Sequence, residues 1–521
     1  MSDSATHGVV QLADQLPVLQ VVLPMLTAPL CVLVRDRRAT WLLATAAAWA
    51  TLGISIALLR RVLTEGAWSY AVGGWLPPMG IELRLELVNA FVLLIVSGVS
   101  AIVLTAARRS FDREIPASRH YLAYSAFLLA ITGLLGMTSA GDAFNVFVFL
   151  EISSLASYSL IALGRRRQAL SSALRYLMIG TIGGTFLLLG IGMLYMATGT
   201  LNITDLGVRL AGMESNRTVL VALACITIGT TIKLALLPLG AWLPNAYTFA
   251  PSVVTAFLAA TATKVAYYVL LRFIFRVFGA PTVFETFDFD LVLLPLAVGS
   301  MFVGSLLAIW EPDVKRLLAY SSLAQIGYMV LGLSLATRAG LIGGVVHLFN
   351  HALMKSGLFL VLAAIALRLG STRLDSMCGL SKRMPWTAAA FVLGGLSLIG
   401  VPATVGFVSK WFLVRGAFER GSVFIAGLIL ISSLLSLVYV WRVVEAMYFR
   451  EVSVEVESAR EAPASLLIPA WALILACLWF GLSTDRTVGV ASLAVDELLA
   501  PPQPVVTAIG APESVGTAGD H

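Results

Sequence analysis

Residues 338–367 read RAGLIGGVVHLFNHALMKSGLFLVLAAIAL, an apolar run interrupted by His347, His351 and Lys355. A bilayer-spanning helix needs about 20 mostly apolar residues, so this run is long enough to cross a membrane. A charge at the bilayer centre costs about 2.5–3.5 kcal/mol on the insertion scale, and such groups are retained where they do work. The three side chains follow i, i+4, i+8 and so stack on one helix face, about 6 Å apart per step. One or two waters bridge a gap of that size. The stretch therefore predicts both a membrane fold and an interior row of groups that can accept protons.

The rest of the chain repeats the pattern. Of 521 residues, 59% are hydrophobic and 12% charged, against about 25% charged in soluble domains. Apolar runs fall at about 17–34, 39–59, 88–107, 121–140, 142–163, 171–197, 218–238, 252–272, 290–310, 317–336, 338–367, 386–415, 421–448 and 465–482. These fourteen candidate spans predict an all-α polytopic membrane protein embedded in the lipid bilayer. They lack the two-residue alternation of a membrane β-barrel. Between the second and third lies a polar insert, 60–87, whose Gly73-Gly74 and Pro77-Pro78 read as an extramembrane turn or hairpin. The segment from about 500 is rich in Pro, Gly, Ala and Thr and reads as a disordered tail. No Lys or Arg precedes the first apolar run, so that run is expected to remain as a span rather than act as a cleaved signal.

The net charge of +6 comes mainly from arginines at span ends, which explains it without nucleic acid. After spans one, three, five, nine, eleven and thirteen come Arg35/Arg37/Arg38, Arg108/Arg109/Arg113/Arg119, Arg165/Arg166/Arg167, Lys315/Arg316, Arg368/Arg373/Lys382/Arg383 and Arg450/Arg460. The opposite loops carry fewer. By the positive-inside rule the first set is cytoplasmic, which puts both termini outside an inner (plasma) membrane. Cys31, Cys225, Cys378 and Cys477 are far apart and form no CxxC pair, so no zinc or iron–sulfur site is read. No dinucleotide or P-loop fingerprint is present, and no cofactor is expected.

Two internal signals refine the architecture. Leu150-Glu151-Ile152-Ser153-Ser154-Leu155-Ala156 in span five echoes Leu318-Ala319-Tyr320-Ser321-Ser322-Leu323-Ala324 in span ten. An odd separation makes the copies face opposite ways, as in inverted-repeat transporters. Spans seven and twelve also carry breakers. Pro238 follows Lys233 by five residues, and Gly400, Pro402 and Gly406 precede Lys410. Proline removes a backbone donor, and freed backbone groups at membrane depth need protein or water around them.

Glu151, Lys233, Lys264 and Lys410 join His347, His351 and Lys355 as titratable groups within spans. A single lysine would be explained by a static ion pair with Glu151. Three lysines against one glutamate leave charge that packing does not explain. Desolvation and pairing tune lysine and glutamate in opposite directions, and histidine titrates near neutrality, so the set reads as a proton relay. For the histidines, a satisfied core hydrogen bond is the competing reading. Arg442 and Glu445, at i, i+3, read as a local ion pair. Asp142 reads as a helix N-cap, and Arg175 stays unassigned.

The stretches Asp313–Tyr328, His347–Lys355 and Trp242–Tyr247 carry a resemblance that extends over about residues 20–480. The chain resembles the antiporter-like proton-translocating subunits shared by respiratory complex I and Mrp-type multisubunit cation/proton antiporters, and within them the Mrp-type D subunit. The resemblance implies fourteen helices, two inverted five-helix repeats and broken helices seven and twelve. It places the family's relay on Glu151, Lys233, Lys264, His347/His351 and Lys410. It divides the chain into 1–120 with the insert, 121–285 and 286–450 as the repeats, and 451–521 as the last span and tail. It also implies other membrane subunits as partners, with protons and Na+ as the ions moved. The alternative is a proton-pumping subunit of a redox-driven complex, either NADH:quinone oxidoreductase or a membrane-bound hydrogenase. Complex I relatives commonly have Asp and His where Asn245 and Tyr247 stand here, which removes two titratable groups near the mouth. Lys410 in place of a glutamate and the lack of a long lateral helix after span fourteen argue against two of the complex I paralogues.

Overall fold

The computed structural model describes residues 12–213 and 216–500. Two helices, α1 (Leu16–Val34) and α2 (Arg37–Glu65), open it, joined by a turn in which Asp36 accepts from the Arg38 and Ala39 amides. The polar insert forms a hairpin, β1 (Trp68–Ala71) against β2 (Glu82–Leu85), antiparallel with Trp68 opposite Leu85. The chain continues through α3 (Leu87–Glu114), α4 (His120–Ser139), α5 (Ala143–Ala162), α6 (Arg167–Thr198) and the short α7 (Ile203–Leu210). Next come α8 (Arg217–Leu234), α9 (Leu243–Phe249), α10 (Ser252–Ala260) and α11 (Ala262–Arg272), which runs into a π-helical turn to Phe278. The second half comprises α12 (Asp290–Trp310), α13 (Val314–Ser334), α14 (Arg338–Leu369), α15 (Pro385–Ile399), α16 (Val405–Glu419) and α17 (Val423–Phe449). A short α18 (Val454–Glu457), α19 (Ala464–Leu482) and α20 (Thr484–Leu499) complete it.

Among the described residues, 13 helical segments are long and apolar enough to cross a membrane. The broken pair α15–α16 supplies the twelfth of the fourteen expected spans. The interior of the bundle is set by burial. In α10–α11 and in α13, 94% of the most apolar window is buried, against 33% in α2 and α19. The span that carries Lys264 is thus among the most shielded, and the span that carries His347, His351 and Lys355 is 78% buried, while α5, with Glu151, is half exposed. The two echo segments run in opposite senses, since α5 leads into Arg165–Arg167 whereas α13 starts beside Lys315 and Arg316.

Several expectations need correction. Span eight is broken as well as seven and twelve: α10 stops at Ala260 and Thr261 leaves the helical region (φ −122, ψ −60) before α11 begins. No Gly or Pro marks this break. Beyond span fourteen the chain forms α20 over residues for which no helix is expected, and the segment read as a tail, from about 500, lies almost wholly outside the described residues. Helix α20 docks through Arg338, which donates to both Asp496 oxygens at 2.6 and 2.7 Å, and through Glu497, which accepts from the Leu87 amide at 2.8 Å.

Arg442 and Glu445 do not pair. The Arg442 guanidinium donates to the backbone carbonyls of Ile309 and Glu311 at the end of α12, while Glu445 pairs with Arg450 at 3.2 Å. Helix C-termini leave carbonyls without intrahelical partners, and Arg442 Nη1, with two hydrogens, satisfies both. Arg442→Gln is therefore expected to lower folded abundance, at a cost of about 1–3 kcal/mol for the stranded carbonyls. Detergent-extracted yield and melting temperature check this, with turnover per folded molecule expected to stay normal.

Candidate functional site

Helix α5 places Glu151, Ser154 and Tyr158 on one face at i, i+3, i+7, towards the end of α8. There Lys233 Nζ donates to Ser154 Oγ at 2.8 Å, Tyr158 OH at 3.3 Å and Glu151 Oε1 at 3.4 Å. Helix α8 stops because Ala235 takes a left-handed conformation (φ 65), and Trp242 Nε1 donates to the Ile232 carbonyl at 2.9 Å. Lys233 thus sits in a last turn, where the helix dipole favours a cation. Its side chain is 6% exposed, that of Glu151 25%. Room for the acceptors comes from α6: a Cβ on Gly184 would collide with the Glu151 carboxylate, and one on Gly180 with the Tyr158 hydroxyl.

The break in span eight positions Lys264. With α10 ended, the Ala259 carbonyl is free to accept from Lys264 Nζ, which also donates to Thr263 Oγ1 at 3.3 Å. Between Lys233 and the start of α11 lies a cavity of about 20 Å3, lined by Ser154, Ser157, Lys233, Ala262 and Ala266 among others. That volume holds about one water.

Helix α14 carries the next groups. The rings of His347 and His351 stack at 5.9 Å between centroids, 9° from parallel, matching the expected step. His347 Nδ1 is 2.8 Å from Ser409 Oγ on α16, while His347 Nε2 and both His351 nitrogens are buried without a hydrogen-bond partner. Lys264 lies close enough to act electrostatically on His347, His351 and Lys355. Lys355 shares the α14 face but its amine turns to α13, donating to Leu318 O at 2.8 Å and Ser321 Oγ at 2.5 Å.

Lys410 closes the row. Helix α15 ends at Gly400 (φ 91), and the freed Leu398 and Ile399 carbonyls accept from Lys410 Nζ at 3.3 and 2.7 Å. Ser433 Oγ accepts at 2.7 Å, and the Tyr328 ring centroid lies 4.9 Å away. Lys233 and Lys410 thus share a pattern, since Lys233 lies 5.9 Å from the Tyr158 ring centroid. Each tyrosine follows one copy of the echoed segment.

The structure buries Lys233, Lys264, His347, His351, Lys355 and Lys410 inside the bundle and sets Glu151, partly exposed, against Lys233 at its edge; together these seven form the band referred to below. It adds hydroxyl partners that charge-based reading passes over, chiefly Ser154, Tyr158, Ser321, Ser409 and Ser433. Their signal is a polar residue at helical spacing within an apolar run. Outside the band, Asp142 caps α5 by accepting from the Asn145 amide at 2.8 Å. Glu86 lies at the hairpin end of the bundle. Burial would raise its carboxyl, but Arg276, Arg84 and Arg272 outweigh burial and hold it below the usual range. Arg175 is exposed on α6, and no metal-binding group of three or more His, Cys, Asp or Glu occurs among the described residues.

Gly184→Ala is expected to drive the Glu151 carboxylate off Lys233, separating the pair beyond 4 Å in a density map of the variant. Gly192→Ala, with nothing within 4 Å of the added carbon, serves as the matched control and is expected to leave the pair in place.

A family model described as NADH:quinone oxidoreductase/Mrp antiporter, TM, matches residues 140–436, more than half of the chain. NADH-quinone oxidoreductase subunit N of Desulforudis audaxviator (strain MP104C) is 40% identical, over 91% of this chain and 97% of the relative. The D-type subunit of the Na(+)/H(+) antiporter of Bacillus subtilis (strain 168) is 31% identical, over 93% of this chain and 97% of the relative. Among solved structures, a chain of the Mrp complex from Dietzia sp. DQ12-45-1b superposes with a TM-score of 0.86 at 25% identity, covering 94% of this chain and 98% of that one. A multi-pass membrane protein with this match belongs to the NADH:quinone oxidoreductase/Mrp antiporter transmembrane family.

Proposed function

We propose that this chain translocates protons along the band Glu151–Lys233–Lys264–His351/Lys355–His347–Lys410, as one membrane subunit of a larger complex, with its arginine-rich face towards the cytoplasm. The observation that carries this reading is the charge imbalance of the band. Four buried ammonium positions face a single carboxylate, with hydroxyls and carbonyls as their other partners. Such a set holds fewer protons than it has sites at little cost, because each added charge repels its neighbours. Shifting the Glu151 contact on Lys233 therefore changes how readily Lys264 keeps its proton, and the change passes down the band.

The need for partners follows from Glu151, whose side chain is 25% exposed within a span. A carboxylate at that depth against lipid is unfavourable, and a neighbouring subunit would shield it. We read the coupled process as monovalent-cation (Na+) antiport, supported by the fit to the Mrp complex over 94% of this chain. The second reading, a proton pump driven by electron transfer in a redox complex, draws its support from the 40% identical quinone oxidoreductase relative. Both use the same band.

Lys233→Ala is expected to abolish proton-coupled transport in reconstituted vesicles while the protein still inserts, and Glu151→Gln to slow it roughly ten-fold, equivalent to about 1.4 kcal/mol. Wild-type rates in Lys233→Ala would end the relay reading. The coupling is decided by isolating the complex in mild detergent and recording its visible spectrum. Small membrane partners without flavin or iron–sulfur absorbance support antiport. Peripheral partners with such absorbance support the redox-driven pump.

A further inference from the structure

Helix α17 is lipid-facing along much of its length, with Leu430, Ile431 and Leu434 exposed, yet it carries a fully buried polar stripe, Ser432, Ser436 and Tyr439. Helix α13 carries a second stripe at the same i, i+4, i+7 spacing, Ser321, Gln325 and Tyr328, also fully buried. The stripes meet. The Tyr439 hydroxyl lies within side-chain reach of Ser436, Ser321 and Gln325, and that of Tyr328 within reach of Ser432 and Ser433. These approaches fall short of hydrogen-bond geometry: Gln325 Oε1, Gln325 Nε2, Tyr439 OH and Ser432 Oγ have no partner that meets it. Buried amides and hydroxyls are almost always partnered by protein or by ordered water, and a buried water takes two to four such partners.

Both ends of this polar strip touch the band. Lys355 Nζ donates to Ser321 Oγ at 2.5 Å, and Lys410 Nζ to Ser433 Oγ at 2.7 Å. Resting on the relay reading above, we propose that Gln325, Tyr439 and Ser432 hold ordered water that completes a second proton path from Lys355 to Lys410. It runs between α13 and α17, apart from the His351–His347–Ser409 path between α14 and α16. The Lys355 ammonium releases one proton into the chain and the Lys410 amine takes one up. Each hydroxyl and water between them accepts a proton on one side and passes one on, so nothing is consumed. An alkali cation would also suit neutral oxygen donors, but an ammonium stands at either end and neither stripe contains a carboxylate. Water is the occupant the charge pattern accepts.

Serines commonly bond back to their own helix, as Ser321 does to Leu318 O at 3.0 Å and Ser436 to Ser432 O at 3.3 Å. Gln325 has no such outlet, and it distinguishes a water chamber from mere packing. The test uses the full complex. A cryo-EM map fine enough to show water is expected to contain density within hydrogen-bond distance of both Gln325 and Tyr439; a dry chamber overturns the proposal. In vesicles, the double variant His347→Ala/His351→Ala is expected to keep measurable proton transport, and adding Tyr439→Phe or Gln325→Leu to lower it at least ten-fold. A double variant with no transport, or a triple variant as fast as the double, overturns the second path. Normal transport in Lys233→Ala would instead overturn the relay reading, and the water density is read independently of it.

Discussion

A buried ammonium ion needs acceptors, and in this protein broken helices supply many of them. Lys264 takes the carbonyl freed where α10 stops, and Lys410 takes two where α15 stops. Lys233 lies in the last turn of α8, at the negative end of its dipole. Carbonyl and dipole partners hold a positive charge without neutralising it, unlike a carboxylate, so the amine remains able to lose its proton. An unbroken helix satisfies its carbonyls internally, and Lys355 shows the exception, taking Leu318 O of the continuous α13 together with the Ser321 hydroxyl.

This constraint explains the placement of the other elements. The break in span eight lies in a helix pair that is almost wholly buried, whereas α2, α6, α12, α17 and α19 are peripheral and Pro238, Leu239, Pro402 and Ala403, at the other two breaks, are exposed. Close approach of α5, α6 and α8 is secured by glycine on α6, where Gly180 and Gly184 leave space for Tyr158 and Glu151. The single carboxylate of the band therefore sits at the edge of the bundle beside a partner-ready surface. The lysines and histidines occupy its centre.

At the hairpin end, a different logic holds. Glu86, Arg84 and Arg276 form buried ion pairs, Glu82 accepts from Asn202 at 2.6 Å, and Glu497 ties α20 to the start of α3. Here charges are matched and satisfied, which fixes position. In the band they are unmatched, with orphaned nitrogens on both histidines. The contrast separates the part of the molecule that anchors from the part suited to carrying protons.

The sequence determined the spans, the membrane environment and the identity of the charged groups, because twenty-residue apolar runs and the cost of intramembrane charge are properties of composition and order. It also determined two of the three breaks, since Pro238, Gly400 and Pro402 announce themselves. The break at Thr261 was illegible because Ala259-Ala260-Thr261-Ala262 contains no breaker. Tertiary structure alone decided that Lys355 turns from its histidine neighbours to α13, that Arg442 caps α12 instead of pairing with Glu445, and that the serine and tyrosine stripes of α13 and α17 meet. Helical spacing reports which residues share a face, but which acceptor a side chain finds depends on the helix packed against that face, and that helix comes from a distant part of the chain.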